Sequence, residues 1–288
     1  LVSKQLKKNP METATDIIKN INSTHSDFFD NITVAKPGFI NFKINSKQYL
    51  KQLSSIIKSG NQYGQSSIGN NKKALIEFVS ANPTGPLTIG HGRGAIIGEF
   101  ASNILAWNGF NVEREYYFNN AGRQMRKLAE SVHSRYLEKF NIKNDFPKDG
   151  YQGEYISKIA ERMKTDFSKE LVDDSKIEDI KKYAEEKIFN EIKLTLKKLQ
   201  IEFDRFFNEK DLYDNKAIFS IIESLKKDDL VYDKDGATWL KATSLGLNQD
   251  RVLIKSTGEP TYRLPDMAYH QDKFNREYDL IIDVFGAD

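Results

Sequence analysis

The sequence predicts an α/β fold in which a parallel, doubly wound sheet is split by a largely helical insertion, with a smaller α/β unit ahead of it. Three observations carry that expectation. Short apolar runs, Leu75 to Val79 and Asp279 to Phe285, have the length of buried strands. Between them lies a long stretch, ending near Lys198, in which apolar residues recur every three or four positions. From Ala237 the period shortens to that of strands.

Each element has its own local reason. Residues 1 to about 58 read as the small unit, with helical spacing from Met11 to Ile21 and a strand from Phe39 to Ile44 after the Pro37-Gly38 turn. Ser59 to Lys73 is rich in Gly, Asn, Ser and Gln and reads as a linker, so domains are expected at 1–70 and 71–288. Leu75 to Val79 opens the larger domain, and Pro83 with Gly85-Pro86 forbids the strand from continuing. A helix is expected from about His91 and Gly92. Along it Gly94, Ala95, Gly98 and Ala101 form a small-residue face that can lie tight on a sheet, although a helical glycine costs about 1 kcal/mol relative to alanine.

Asn108-Gly109 closes that helix, and Arg114 to Asn119 is the second strand. Asn119 to Gln124 then opens a charged helix, and the pattern stays helical and mostly solvated to about Lys198. Ile177, Ile180, Ala184, Ile188, Ile192, Thr195 and Leu199 mark one buried stripe there, a pattern of core packing. The insertion is placed at about 123–258. Strands are expected at Ala237 to Thr243, Asp250 to Ser256 and Thr261 to Leu264, then a helix from Met267 and the last strand from Asp279 to Phe285.

Composition narrows the function classes. Of 288 residues, 39% are hydrophobic and 29% charged, enough for one large domain or two smaller ones with a real core. The formal charge of +2 gives no global field toward nucleic acid, so an RNA surface would have to be a local patch. The absence of cysteine, with only four histidines, excludes a disulfide framework, thiol catalysis and a structural zinc site. No apolar run reaches 18 residues, and LVSKQLKKNP lacks the form of a signal peptide, so no membrane role and a cytoplasmic location are expected. The leading Leu1 and the halt at Asp288 directly after a strand read as two cut ends.

The densest chemistry lies from Leu75 to Gly98, LIEFVSANPTGPLTIGHGRGAIIG: strand, broken turn, and a helix opening on Gly and His. That order places backbone N–H groups and the positive end of a helix dipole where phosphates can sit. A Gly-rich strand, loop and helix also occurs in α/β folds that bind nothing there. No GxxxxGK[ST] is present, which excludes a P-loop, and GxGxxG is poorly matched. Glu77, inside an apolar strand, needs a partner in either case.

Ser80 to Leu87, SANPTGPL, followed by Thr88 to Ala95, TIGHGRGA, resembles the adenylate-site signature of class I aminoacyl-tRNA synthetases, and specifically of the arginyl family. The signature's eleven residues, Ala81 to His91, are far more specific than a four-residue HIGH core. Pro37 to Phe42, Gly150 to Tyr155, Phe203-Asp204 with Glu209, Asp235 to Leu240, Asp250 to Leu253, Pro260 to Tyr262 and Pro265 to His270 extend the resemblance nearly end to end. It implies a class I synthetase Rossmann-like parallel sheet, preceded by part of an N-terminal domain that contacts tRNA. It also implies arginine–tRNA ligase activity, with ATP, Mg²⁺ accompanying ATP, L-arginine and tRNA(Arg) as partners, no zinc, and a monomer.

Site residues follow from the same resemblance. Catalysis would rest on His91 and Thr88, and ATP on Pro83, Thr84, Gly85, Leu87, Thr88, Gly90, His91 and Gly92. Arginine would be held by Glu77, Ser80, Asn82, His91, Tyr262 and Asp266. A guanidinium has five N–H donors and needs planar acceptors, which Glu77 and Asp266 could supply, with the Tyr262 ring stacked on it. Asp266 is equally placed to cap a helix beginning at Met267. Arg93 could touch RNA or phosphate, or be a solvated side chain.

One position departs from the family, which usually has His where this chain has Thr88; threonine donates a hydrogen bond but carries no positive charge. The KMSKS-type loop and anticodon-binding domain of the family would follow Asp288, so little aminoacylation by the chain alone is expected. Two other readings share the motif. Small adenylyl- or cytidylyltransferases use a similar HxGH turn but have no reason to build a guanidinium pocket. A non-catalytic RNA-binding or interaction paralogue would explain Thr88.

Overall fold

The computed structural model describes residues 2–24 and 27–286, so Leu1 and Ala287–Asp288, the outer edges of the two expected domains, lie outside the described residues. The chain divides into two compact units, Leu1–Gln65 and Ser66–Asp288.

In the first unit, α1 (Val2–Gln5) and α2 (Pro10–Thr24) precede an antiparallel hairpin of β1 (Phe29–Ala35) and β2 (Phe39–Ile44), followed by α3 (Ser46–Ser59). Gly38 at the hairpin turn has φ +133°, and an added Cβ would fall 2.8–3.0 Å from Pro10, so no side chain fits there. Asn45 caps α3, its side chain accepting from the Lys47 N–H at 2.9 Å. The expected linker from Ser59 to Lys73 is corrected. The end of α3 takes its first residue, and Ser66 to Asn71 folds onto the end of the next helix through bonds to the carbonyls of Trp107, Asn108 and Gly109. Gly69 permits this, because a Cβ there would lie 2.4 Å from the Phe110 ring. Glycine marks close approach here, where composition suggested slack.

The second unit is built on a parallel sheet of order β5-β4-β3-β9. Its elements run β3 (Lys73–Glu77), α4 (Ile89–Trp107), β4 (Asn111–Phe118), α5 (Gly122–Glu138), α6 (Glu154–Phe167), α7 (Ile177–Lys198) and β5 (Arg205–Asn208). Then come α8 (Glu209–Asp214), α9 (Ala217–Lys227), a three-stranded antiparallel sheet of β6 (Val231–Lys234), β7 (Ala237–Leu240) and β8 (Arg251–Ile254), α10 (Arg263–Asn275) and β9 (Leu280–Asp283). Residues 123–258 therefore contain β5, an edge strand of the parallel sheet, within the span assigned to the insertion.

Alternation along β4 covers both faces of the sheet. Tyr116 and Phe118 enter one core with Phe78, Ala95, Leu128, Val132, Ile188 and Ile192, while Tyr117 packs on the other side with Phe207, Ala268 and Tyr269. On α4 the tight face is Ala95, Gly98 and Ser102, one step round from the expected Gly94 and Ala101. The stripe on α7 is Ile180, Ala184, Ile188 and Ile192 as expected, but it continues through Tyr183 and Leu196, and Leu199 is 44% exposed. The helix expected to be mostly solvated, α5, buries Met125, Leu128, Ala129, Val132, His133 and Tyr136, because two further helices cover it.

One secondary-structure expectation fails outright. Thr261 to Leu264 is not a strand; only an isolated bridge joins Ile254 to Pro260, and α10 already begins at Arg263. Pro265 lies in the first helical turn, where its missing N–H would have had no partner in any case. Asp266 is consequently inside that turn and does not cap the helix; Tyr262 holds the capping position.

Candidate active site

The site grows from the carboxyl end of β3. Glu77 is its last residue, 2% exposed, and Val79 and Ser80 come next but one and next but two, with φ of +68° and +44°. Positive φ at a β-branched residue is costly, about 1–3 kcal/mol, and it turns the chain sharply out of the sheet. Tyr116 pins the residue after this turn, its hydroxyl donating to the Ala81 carbonyl at 2.8 Å and accepting from the Ala81 N–H at 3.2 Å. Asn82 is tied to the end of β4, accepting from the Asn119 N–H at 2.9 Å and donating to Gln124 at 3.2 Å. Pro83 is buried, and the Thr84 carbonyl accepts from the Tyr155 hydroxyl at 2.8 Å. Burial pushes the Tyr155 phenol up to about 12, so it remains a donor at neutral pH. A Cβ on Gly85 would meet that hydroxyl at 3.0 Å. Leu87 packs on the core and anchors the far end of the loop.

Thr88 then caps α4. The Thr88 N–H donates to Nδ1 of His91 at 3.0 Å, and its Oγ1 lies 3.1 Å from the same nitrogen. With Nδ1 accepting, the proton of neutral His91 sits on Nε2, where it can donate to a ligand. Gly90 and Gly92 leave open space around the first turn, and the orphan N–H groups there are available to an anion.

A second cluster lies at the carboxyl ends of β3 and β9, beside α10. Glu77 accepts from Ser80 Oγ at 2.7 Å and from Lys273 at 2.5 Å. Asp283, the register partner of Glu77, accepts from Lys273 at 2.6 Å and pairs with His270 Nε2 at 3.2 Å. His270 Nδ1 lies 3.0 Å from the Asp266 carbonyl and 3.6 Å from its carboxylate. Burial works against ionisation of Asp283, yet hydrogen bonds from His270 and Lys273 prevail and hold its carboxyl at about 2. The Asp283 bond raises His270 above its ordinary value. Burial pushes the Glu77 carboxyl up, against the pull of Lys273.

Glu77, Ser80 and, through His270, Asp266 thus belong to one network, while Asn82, Pro83, Thr84, Gly85, Leu87, Thr88, Gly90, His91 and Gly92 form the adjoining loop and helix start. The ring of Tyr262 is 76% exposed and carries the guanidinium of Arg263 at 4.7 Å. Sequence reasoning passed over Lys273, Asp283 and His270 as site residues. The available signal was a lysine on the buried face of α10, aligned with Leu264, Ala268 and Tyr269. Among the described residues no group of His, Cys, Asp or Glu is arranged to hold a metal ion, and no helix is long and apolar enough to cross a membrane.

A parallel sheet whose first strand opens, through a glycine- and proline-broken loop, onto a histidine-bearing helix N-terminus is the arrangement of a class I tRNA synthetase catalytic domain. Comparison with known proteins agrees: residues 52–287 match the family of class I (R) tRNA synthetase catalytic domains, and residues 1–44 match the arginyl tRNA synthetase N-terminal domain. The chain belongs to the arginyl-tRNA synthetase family. It is 46% identical over 98% of its length to an arginine–tRNA ligase of Desulfotalea psychrophila, covering 51% of that protein. It is 45% identical, over its whole length, to one from Pelodictyon phaeoclathratiforme, covering 53% of it. A solved structure described as an arginyl-tRNA synthetase of Campylobacter jejuni superposes with a TM-score of 0.79 at 34% identity, over 85% of this chain and 54% of that one. A Thermus thermophilus arginyl-tRNA synthetase, 21% identical, shares the fold with a TM-score of 0.63 over 93% of this chain and 45% of its own. The chain spans about half the length of the curated relatives it matches.

Proposed function

We propose that this chain carries the adenylate-forming site of an arginine–tRNA ligase. The observation that carries the reading is the junction of two features at the end of β3: an acidic cluster suited to a guanidinium and a capped helix N-terminus suited to phosphate. The arginine carboxylate oxygen attacks the α-phosphorus of ATP in line, the bond to pyrophosphate breaks, and arginyl-adenylate forms. The terminal ribose hydroxyl of tRNA(Arg) then attacks the acyl carbon, and AMP leaves.

Neither step needs a side-chain nucleophile; both need positioning and charge neutralisation. His91 Nε2–H and the open N–H groups of the first turn of α4 bind phosphate oxygens and ribose, with the backbone from Pro83 to Leu87 shaping the nucleotide's seat. Thr88 orients His91. Glu77, Ser80, Tyr262 and Asp266 receive the guanidinium, and Asn82 with His91 the α-amino and carboxylate end. Mg²⁺ enters as the companion of the ATP phosphates. The N-terminal unit, matching the family's N-terminal domain over residues 1–44, is assigned to tRNA contact.

Calorimetric titration with L-arginine tests this reading, with L-citrulline, which lacks the charge, as control. Saturable binding of arginine alone, lost in Asp266→Ala, is expected. Equal binding of citrulline, or none of arginine, would sink the pocket assignment.

A further inference from the structure

Lys273 is 0% exposed, on the buried face of α10 with Leu264, Ala268 and Tyr269. Its ammonium lies 2.5 Å from Glu77, 2.6 Å from Asp283 and 4.3 Å from the centre of the Tyr269 ring. Burying such a charge is expensive unless it is fully partnered. The two carboxylates stand opposite one another at the ends of neighbouring parallel strands. Left without a cation, a close pair of that kind shares a proton, since both cannot ionise together at neutral pH.

We propose that Lys273 is a positioning residue that fixes the charge of the arginine pocket, keeping Glu77 and Asp283 both ionised so that these three groups together meet a guanidinium with a net negative charge. The proposal rests on the arginine reading above.

The surrounding groups leave this task to Lys273. From β3 comes Glu77, from the turn after it the neutral Ser80, and from β9 Asp283. From α10 come His270, Tyr269 and, through His270, Asp266. On the β4 side Tyr117 donates to Glu209, and Glu115 is already satisfied by Tyr269 and by Arg276 at 2.6 and 2.8 Å. Among the described residues Lys273 is the cation that touches both strand ends. With it in place, a guanidinium binds without first expelling a proton. With a neutral residue there, the carboxylate pair retains a proton, and arginine must displace it.

Two measurements on the full chain test this. Carbon-13 NMR of labelled Glu and Asp carboxyls requires no ligand: both groups are expected ionised at pH 7 in the wild type and in Lys273→Arg, and one of the pair protonated in Lys273→Met. Arginine calorimetry at pH 6 and 8 should then show Lys273→Met losing affinity toward pH 6 by up to about tenfold per pH unit beyond the wild-type change. His270 touches Asp283 and also feels the Lys273 charge, so its imidazole proton shifts are followed in both proteins and its own titration is subtracted from that difference. A folded Lys273→Met with both carboxyls ionised at pH 7, or with the wild-type pH profile, overturns the proposal.

If Lys273→Met does not fold, Asp283→Asn takes its place. It leaves the Lys273–Glu77 pair neutral, so arginine affinity should fall at least about tenfold at both pH values with no added slope; unchanged affinity overturns the proposal. A wild type that binds no arginine but shows the expected carboxyl titration refutes the arginine reading, and is thereby told apart from a failure of Lys273 to set the charge.

Discussion

The Tyr116 hydroxyl engages both the N–H and the carbonyl of Ala81, a strand side chain standing in for a second strand's backbone at the root of the signature loop. Tyr116→Phe would leave two buried backbone groups unpaired. A loss of about 2–4 kcal/mol is expected by urea denaturation, with ATP affinity reduced as well because the loop is no longer pinned. Stability within about 0.5 kcal/mol of wild type would contradict this role for the hydroxyl.

Gly98 tests how closely α4 lies on the sheet. A Cβ there would sit 2.2 Å from the Phe78 ring, which is itself fully buried. Gly98→Ala gains about 1 kcal/mol of helix propensity, but the overlap should outweigh it, giving a net loss of about 1–3 kcal/mol in chemical denaturation. Gly94→Ala, in open space, should be neutral or stabilising.

Thr88→Ala removes a helix-capping oxygen but not the backbone N–H that holds His91. Stability should drop by about 1 kcal/mol, and ATP affinity by less than about tenfold, whereas His91→Ala, which removes the side-chain donor, should cost at least about tenfold in ATP affinity. Equal effects of the two substitutions on ATP titrations would mean that Thr88 contacts the nucleotide itself.

The His270–Asp283 pair predicts a window of stability. Asp283 is held at about 2, below its usual 3.8, so its contribution is present above pH 3.8 and lost as pH falls toward 2. After allowance for partial solvent screening that contribution is about 1–2 kcal/mol. His270 is raised above 6.5, so its contribution is present below pH 6.5 and fades as pH rises through the folded value. The wild-type melting temperature should therefore lose height on both sides of the pH 3.8–6.5 window through these groups, and Asp283→Asn should flatten both flanks.

The legible part of the fold is the part that short-range chemistry determines. The strand around Leu75, the stop at Pro83, the helix start near His91 and the apolar stripe on α7 are local patterns, and each stands within a few residues of its place. The exceptions share a cause. Thr261 to Leu264 reads as a strand because its short mixed pattern gives no helical period, and only the packing of Leu264 shows that α10 has already begun at Arg263. Glu77 needs a partner, and that partner is 196 positions away, beyond the reach of any periodicity. Ser66 to Asn71 looks slack because glycine and asparagine serve both loose linkers and tight turns, and only the packing of Phe110 tells them apart.

The distance along the chain between Glu77 and Lys273 also sets an order of events during synthesis. At about 5–20 residues per second, roughly 10–40 s separate the emergence of the carboxylate from that of its ammonium. Through that interval β3, β4 and β5 can pair, but the end of β3 has no cation and no neighbour on its β9 side. That corner is therefore completed only when α10 and β9 have left the ribosome, after β3, β4 and β5, and a nascent chain arrested before Lys273 would hold a sheet with its acidic corner still wet.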